Sequence, residues 1–447
     1  MHLFHSIAAS AAVLGTTFLG AAQPAQAEAP ETRAAIEADY DKSLAALFLD
    51  FHAHPEMGFL ENRTAAKMAA ELKAAGLTVT TGVGKTGVVG ILKNGDGPLI
   101  LLRADMDGLP VEEKSGLAYA SKARQVGEDG KEYPTMHACG HDVHITSMVG
   151  TARRLAAMKD QWKGTLMFVV QPAEEGVRGA RAMMEDGLYQ RFGKPDYALA
   201  FHVAAELETG KISASEGIQY SSSDSLDIRV PGIGTHGAAP HLGRDPVYIA
   251  SQIVTALQSI DSREIGPLTP VVVTVGSFHA GSKHNIISDE AMLQVTVRAN
   301  DEETREQVIA TIGRIATNIG KAHGLPDTMP VEVKRLSGTP TTNNDPALAR
   351  RLNGVMAREL GDGVVVPFMQ KNMGAEDFTY FVAADTGVPG YYFAVGGTTP
   401  ERIAAAKAGG APIAGHHSPL FQIAPRESVV LGTRAMVAAV LELAPAK

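Results

Sequence analysis

The run Leu99-Ile100-Leu101-Leu102 contains no polar residue and leads into Arg103-Ala104-Asp105. Successive side chains of a strand point to opposite sides, so a strand that is apolar throughout must be covered on both faces. The runs 165–170 and 197–202 read the same way, and polar residues stand at the end of each. Helical spacing fills the intervals. A helix is predicted over 29–54 on Ile36, Leu44, Leu47 and Phe51, stopped by Pro55, with others over 64–75 and 144–158. Further strands are read at 78–81 and 88–92. Helices alternating with apolar strands predict an α/β fold, a mixed central sheet with helices on both faces.

The pattern changes after residue 213. Leu226, Ile228 and Val230 alternate with Asp227 and Arg229, as in a strand with one wet face. A helix over 246–262 follows, then strands at 271–278 and 292–298, a helix over 302–323 and a strand at 331–335. That β-α-β-β-α-β order is ferredoxin-like. Beyond Gly338 the α/β pattern resumes, with helices over 346–360, 376–384 and 427–443 and a strand at 391–395. The expected plan is a catalytic α/β domain from 28–214 and 337–447, with an α+β domain inserted over 215–336. A chain of 447 residues is long enough for two domains.

The first 27 residues read as a signal peptide. An apolar stretch over 7–22 precedes an Ala25-x-Ala27 cleavage signal, although the opening segment carries His2 and His5 rather than lysine or arginine. Cleavage after Ala27 leaves Glu28 first. The rival reading, a membrane anchor, needs a longer apolar run. Export to a bacterial periplasm, with no membrane contact after cleavage, is the expectation. The single cysteine, Cys139, excludes an intrachain disulfide. A net charge of −9 and the absence of any basic run argue against a nucleic-acid partner.

Four clusters carry chemistry. Asp105 and Asp107 stand two apart just after a buried strand, where a helix cap and a turn explain them equally well. The stretch 136–144 holds His137, Cys139, His141, Asp142 and His144. Thiolate and imidazole are the ligands of zinc and its neighbours, whereas a buried thiol beside capping groups leaves so many ligand types unexplained. Glu174 and Glu175 follow the strand over 165–170 and precede Gly176. Adjacent glutamates usually mark a solvated turn; here one can bind metal while the other stays free to take a proton from water. His202 and the pair His416-His417 are each, alone, more often structural histidines. Together the clusters describe a site for two divalent ions. Zinc is the first choice because of the thiolate, with manganese or cobalt as alternatives.

The elements Asp105-Met106-Asp107-Gly108-Leu109-Pro110, Met136-His137-Ala138-Cys139-Gly140-His141-Asp142, Gln171-Pro172-Ala173-Glu174-Glu175-Gly176 and His417-Ser418-Pro419 resemble the aminoacylase, hippurate hydrolase and auxin-amino-acid hydrolase group of co-catalytic metallopeptidases. The resemblance runs from about His52 to the C-terminus. It implies Cys139, His141, Glu175, His202 and His417 as metal ligands and Glu174 as general base. Asp107 is implied as a group that orients a ligand. It implies a lid and dimerisation role for the inserted domain, and a homodimer or higher homo-oligomer. His236, in Gly234-Thr235-His236-Gly237, is implied to stabilise the oxyanion in a neighbouring subunit's site; by itself it reads equally as a turn residue. Asn285 and Arg298 are implied to hold a substrate carboxylate.

The expected activity is hydrolysis of the amide bond of N-acyl amino acids or related small peptide-like compounds. A metallo-carboxypeptidase or dipeptidase would use the same residues. A non-catalytic binding protein of the same fold would have lost Glu174 or its ligands, and none is missing. A purely structural zinc would not need the spare glutamate. Two further stretches are read with less chemistry in them. The polar segment 121–134 is taken as a loop beside the mouth of the site. Gly374-Ala375-Glu376-Asp377-Phe378 is read first as a helix start and second as part of the site.

Overall fold

The computed structural model describes residues 30–446. The expected signal peptide, residues 1–27, lies outside them. Among the described residues no helix is long and apolar enough to cross a membrane.

The larger sheet has eight strands. In spatial order they are Thr78–Val83, Gly87–Asn94, Gly164–Gln171, Leu99–Asp105, Tyr197–Glu208, Gly390–Thr398, Ile212–Ser213 and Val365–Val366. The four from Gly164–Gln171 to Gly390–Thr398 are parallel. Antiparallel neighbours flank them on both sides, so the sheet is mixed, as expected.

The continuous apolar runs split by parity. Ile100, Leu102, Leu166, Phe168, Leu199 and Phe201 face one core. Leu101, Met167, Val169, Ala198 and Ala200 face the other. Asn62–Ala74, His141–Ala157, Pro346–Leu360 and Pro425–Leu443 supply buried apolar residues to the first core. Short helices, Gly179–Glu185, Leu188–Phe192 and Thr379–Val382, cover the second. A fully buried Phe168 or Leu101 removes its whole side chain from water, worth about 1.5–3 kcal/mol each before ordering costs.

A separate four-stranded antiparallel sheet has the order Val271–Ala280, Glu290–Ala299, Ser223–Pro231, Glu332–Thr339. Pro246–Leu257 and Glu302–Ala322 pack on one face, against Leu226, Ile228, Val230, Leu293 and Val295. Strand order and helix placement are those of a ferredoxin-like unit. Its sheet runs from Ser223 to Thr339. The neck below it is Gly217–Tyr220 paired with Thr342–Asn344. The expected limits, 215 and 336, fall before the neck and inside the last strand.

Some elements differ from the sequence expectation. The helix over 29–54 is interrupted by a wide turn, Tyr40–Leu44, which buries both end residues. The helix over 246–262 stops at Leu257, and Ile260–Glu264 forms a wide turn that turns Ile260 into the core. The helix over 376–384 shrinks to Thr379–Val382, because Glu376 and Asp377 are drawn to a buried arginine.

Candidate metal centre

Parallel strands in register put their ends at one level. Asp105 pairs with Gln171, and Arg103 pairs with Ala200, two residues before His202. The Glu174-Glu175 turn, Asp105, Asp107 and His202 therefore meet at the carboxyl edge of the sheet, where open α/β sheets place their sites. His141 opens the helix His141–Ala157, three residues earlier than expected. Gly140 before it has φ +85°, and a Cβ there would lie 2.4 Å from Val203 Cγ1. Only glycine lets Cys139 and His141 come that close to the strand carrying His202.

The donor atoms converge. Cys139 Sγ is 3.4 Å from His202 Nε2. His202 Nδ1 lies 2.7 Å from the Val203 carbonyl and donates to it, which leaves Nε2 with a free lone pair. His141 Nδ1 likewise donates to the Asp107 carbonyl at 2.8 Å, and its Nε2 stands 3.9 Å from Glu175 Oε1. His417 Nε2 is 3.1 Å from Glu175 Oε2, on a backbone with φ +65°. Left-handed backbone at a residue that is not glycine is concentrated at functional sites.

Two donor sets share the thiol: Cys139 with His141 and His202, and Cys139 with Glu175 and His417. Within each set the donor atoms lie within 4.8 Å of one another. The buried atoms His141 Nε2 and Glu175 Oε1 have no hydrogen-bond partner. Buried polar atoms without partners are rare, and two that face each other across a cation's width fit a ligand pair. Two other acidic or histidine groupings do not fit a metal. His144 spends Nδ1 on Asp105 at 2.5 Å and Nε2 on the Val203 N–H at 2.8 Å. The Glu376 and Asp377 oxygens are taken by Arg103, Tyr392, Gln171 and backbone N–H groups.

His416 and His417 separate clearly. His416 Nε2 accepts the Ala205 N–H at 3.2 Å, which leaves Nδ1 facing Cys139 Sγ at 3.7 Å. His417 is the one that faces Glu175.

Electrostatics follow from burial. Burial, then the Glu376, Asp377 and Glu175 carboxylates, hold the Glu174 carboxyl well above the usual carboxylate range. Burial pushes the Cys139 thiol up, with Glu175 and Glu174 adding to it. A cation is what reverses such shifts, since a coordinating thiol is deprotonated outright. Burial, then His144 and His416, keeps His202 neutral, the form that ligates. The Glu174 side chain takes no hydrogen bond among the described residues, whereas Glu175 is tied to His417.

Behind the donors lies a buried ion network that the sequence reading did not assemble. Arg103, inside the apolar strand, is completely covered and reaches Asp105 at 2.6 Å, Glu376 at 2.7 Å and Asp377 at 3.4 Å. Gln171 bridges Arg103 at 2.8 Å and Asp377 at 2.5 Å. A charge between Leu102 and Ala104 was the available signal: it demands buried partners. Asp107 uses Oδ2 to accept the Glu175 N–H at 3.0 Å, so it orients both His141 and the glutamate turn.

A second network braces the same helix. His52 Nδ1 is 2.7 Å from Asp142 and its Nε2 3.3 Å from Glu113. Against burial, these two carboxylates raise His52 to about 9. The segment 121–134 is a hairpin, Arg124–Val126 with Glu132–Pro134, rather than an open loop. Gln125 anchors it through the Met57 N–H at 2.7 Å and the Leu60 carbonyl at 3.1 Å.

Three candidate residues lie apart from the donors. His236 and Asn285 are exposed neighbours on the smaller domain, where His236 pairs with Ile286 and the Gly237 N–H donates to the Asn285 carbonyl at 2.8 Å. Arg298 lies half-buried on Glu290–Ala299, with no hydrogen bond or ion pair among the described residues. Among the described residues, none of the three makes a hydrogen bond or ion pair with Cys139, His141, Glu174 or Glu175.

Residues 101–408 match peptidase family M20/M25/M40. The hippurate hydrolase of Campylobacter jejuni is 40% identical over 333 residues, 74% of this chain and 82% of that protein. Thermostable carboxypeptidase 1 of Saccharolobus solfataricus is 35% identical over 77% of this chain and 83% of its own length. Among solved structures, the YXEP protein of Bacillus subtilis, described as a dinuclear metal-binding peptidase, superimposes with a TM-score of 0.73 at 29% identity, covering 92% of this chain and 99% of that one. The chain belongs to peptidase family M20/M25/M40 and is a metal-dependent hydrolase of amide bonds in small substrates.

Proposed function

We propose that the protein hydrolyses the amide bond of N-acyl amino acids, with two divalent ions held by Cys139, His141, Glu175, His202 and His417 and with Glu174 as general base. One observation carries the reading: of two adjacent glutamates that both stand 3.9 Å from His141 Nε2, Glu175 alone is tied to His417, and Glu174 carries no protein hydrogen bond. The thiol shared between the two donor sets supports a pair of ions rather than one, and the thiolate favours zinc over manganese or cobalt. Bound there, divalent cations supply Lewis acidity, polarising the amide carbonyl and acidifying water. Glu174 takes the proton from the attacking water and delivers it to the leaving nitrogen.

The half-buried, unpartnered Arg298 supports a substrate with a free carboxylate, which a guanidinium grips through two hydrogen bonds. Asn285 joins it in that role. The exposed His236, out of contact with the site in its own chain, supports a homodimer in which it reaches the partner's site and stabilises the oxyanion. The exposed edge strand Val271–Ala280, with Phe278 uncovered, is available for that pairing. A carboxypeptidase acting on short peptides is the second reading, favoured by the same free arginine and by the Saccharolobus relative.

A panel of N-acetyl, N-benzoyl and other N-aromatic-acyl amino acids, with dipeptides, tests the reading. Cleavage of one acyl class is expected, abolished by chelation and restored by zinc, manganese or cobalt. Absence of cleavage by folded, metal-loaded protein sinks it, and cleavage of dipeptides alone selects the second reading. Export to the periplasm remains part of the proposal, on the Ala25-x-Ala27 signal. N-terminal sequencing of the mature protein is expected to begin at Glu28; a chain starting at Met1 rules export by this signal out.

A further inference from the structure

We propose that Glu61 is a positioning residue for the Glu174-Glu175 turn, its buried carboxylate holding the Ala173 backbone in the left-handed conformation from which both glutamates are aimed. The inference rests on the general-base reading of Glu174.

Glu61 directly precedes the helix Asn62–Ala74, where an acid ordinarily caps the first N–H groups. Its side chain makes no such cap. Glu56 does that instead, accepting the Arg63 N–H at 3.0 Å and the Thr64 N–H at 2.7 Å. Glu61 is 0% exposed. Its Oε1 accepts the Ala173 N–H at 2.8 Å and its Oε2 accepts the Thr86 hydroxyl at 2.5 Å. No basic side chain pairs with it among the described residues, and Asp107 adds a like charge nearby. A buried carboxylate without a counter-ion is costly, so helix capping and folding stability alone leave it unexplained.

What it holds is unusual backbone. Ala173 has φ +46° and Val177 φ +51°, one on each side of the glutamates. Residues with a Cβ avoid this region unless their surroundings impose it. Gly58 packs behind the turn so closely that a Cβ on it would lie 2.9 Å from Ala173 Cα. At the far end Asp107 accepts the Glu175 N–H at 3.0 Å. The N–H groups of Ala173 and Glu175 thus both end on buried carboxylates, and Glu174 projects from a backbone fixed on either side.

The test compares Glu61→Ala, Glu61→Gln and Glu174→Gln, reading kcat and KM of the zinc-loaded protein. It also reads amide hydrogen exchange over 173–178 in the metal-free protein. Glu61→Ala is expected to lower kcat by about 100-fold with KM within about twofold, because a small misplacement of a reacting group is enough. Exchange over the turn accelerates in the same variant. Glu61→Gln keeps a carbonyl oxygen for the Ala173 N–H and is expected to recover most of both losses. If Glu61→Ala does not fold, Glu61→Met fills the space without an acceptor and takes its place. The proposal is overturned if kcat stays within about threefold of wild type, or falls while exchange is unchanged, or if the glutamine variant is as slow as the alanine one. An active Glu174→Gln would defeat the general-base reading separately, since the exchange result does not depend on Glu174.

Discussion

Glu174→Gln is expected to lose about 10²–10⁴-fold in kcat, the span attributed to a positioned general base, with bound metal near the wild-type amount. Glutamine keeps the shape of the side chain and cannot take a proton. Metal content separates this loss from a damaged site, because the donor atoms of Cys139, His141, Glu175, His202 and His417 are untouched. Activity that survives the substitution would assign the proton transfer elsewhere. The same variant tests the proposed dimer. Mixed with His236→Ala after subunit exchange, it is expected to regain activity, since one site of each mixed dimer then holds a good Glu174 and a good partner histidine. No recovery from a mixture shown to have exchanged would argue that His236 acts within its own chain or not at all.

The largest loss of stability is expected at Arg103→Ala. Removing one member of a buried ion pair costs about 3–5 kcal/mol, because the partner is left charged and dry. Arg103 has three carboxylate partners, Asp105, Glu376 and Asp377, so the upper end is expected. Burial works to raise Asp105, yet Arg103, then His141 and His144, hold it well below the usual carboxylate range. Without the arginine the stranded carboxyls bind protons more tightly in the folded than in the unfolded chain. The variant therefore gains stability as pH falls toward the unfolded carboxylate value of about 4, where wild type gains none from Asp105. Urea denaturation across that range checks both parts. A deficit below about 1 kcal/mol, or one that grows toward acid pH, would show that the network is not held by Arg103.

Both variants act on residues whose types are plain in the sequence, though the reason for the second is not. Glu174 was legible because its neighbours are: a buried strand before it, Glu175 beside it and Gly176 after it. Arg103 stood in view inside an apolar strand, but its partners Glu376 and Asp377 lie more than 270 residues away in sequence. Read locally, two acids before a short apolar segment look like a helix start. The structure spends their side chains on the arginine and leaves only Thr379–Val382 helical. Glu61 was hidden for the same reason, since a glutamate before a helix reads as a cap and nothing nearby reveals that Glu56 already does that work.

Local patterns in the chain therefore determined the α/β architecture, the ferredoxin-like insertion and the ligand types. Hydrophobic period and residue chemistry are properties of short windows, and burial follows from them directly. Tertiary structure alone decided the rest. It gave the Ala205 N–H to His416 and set His417, already singled out by the His417-Ser418-Pro419 element, against Glu175. It brought Cys139 to His202 by letting Gly140 pass Val203, and it left His236, Asn285 and Arg298 apart from the donors. Whether a polar atom is spent on the backbone or left free for a ligand depends on groups far away in sequence, and no window contains them.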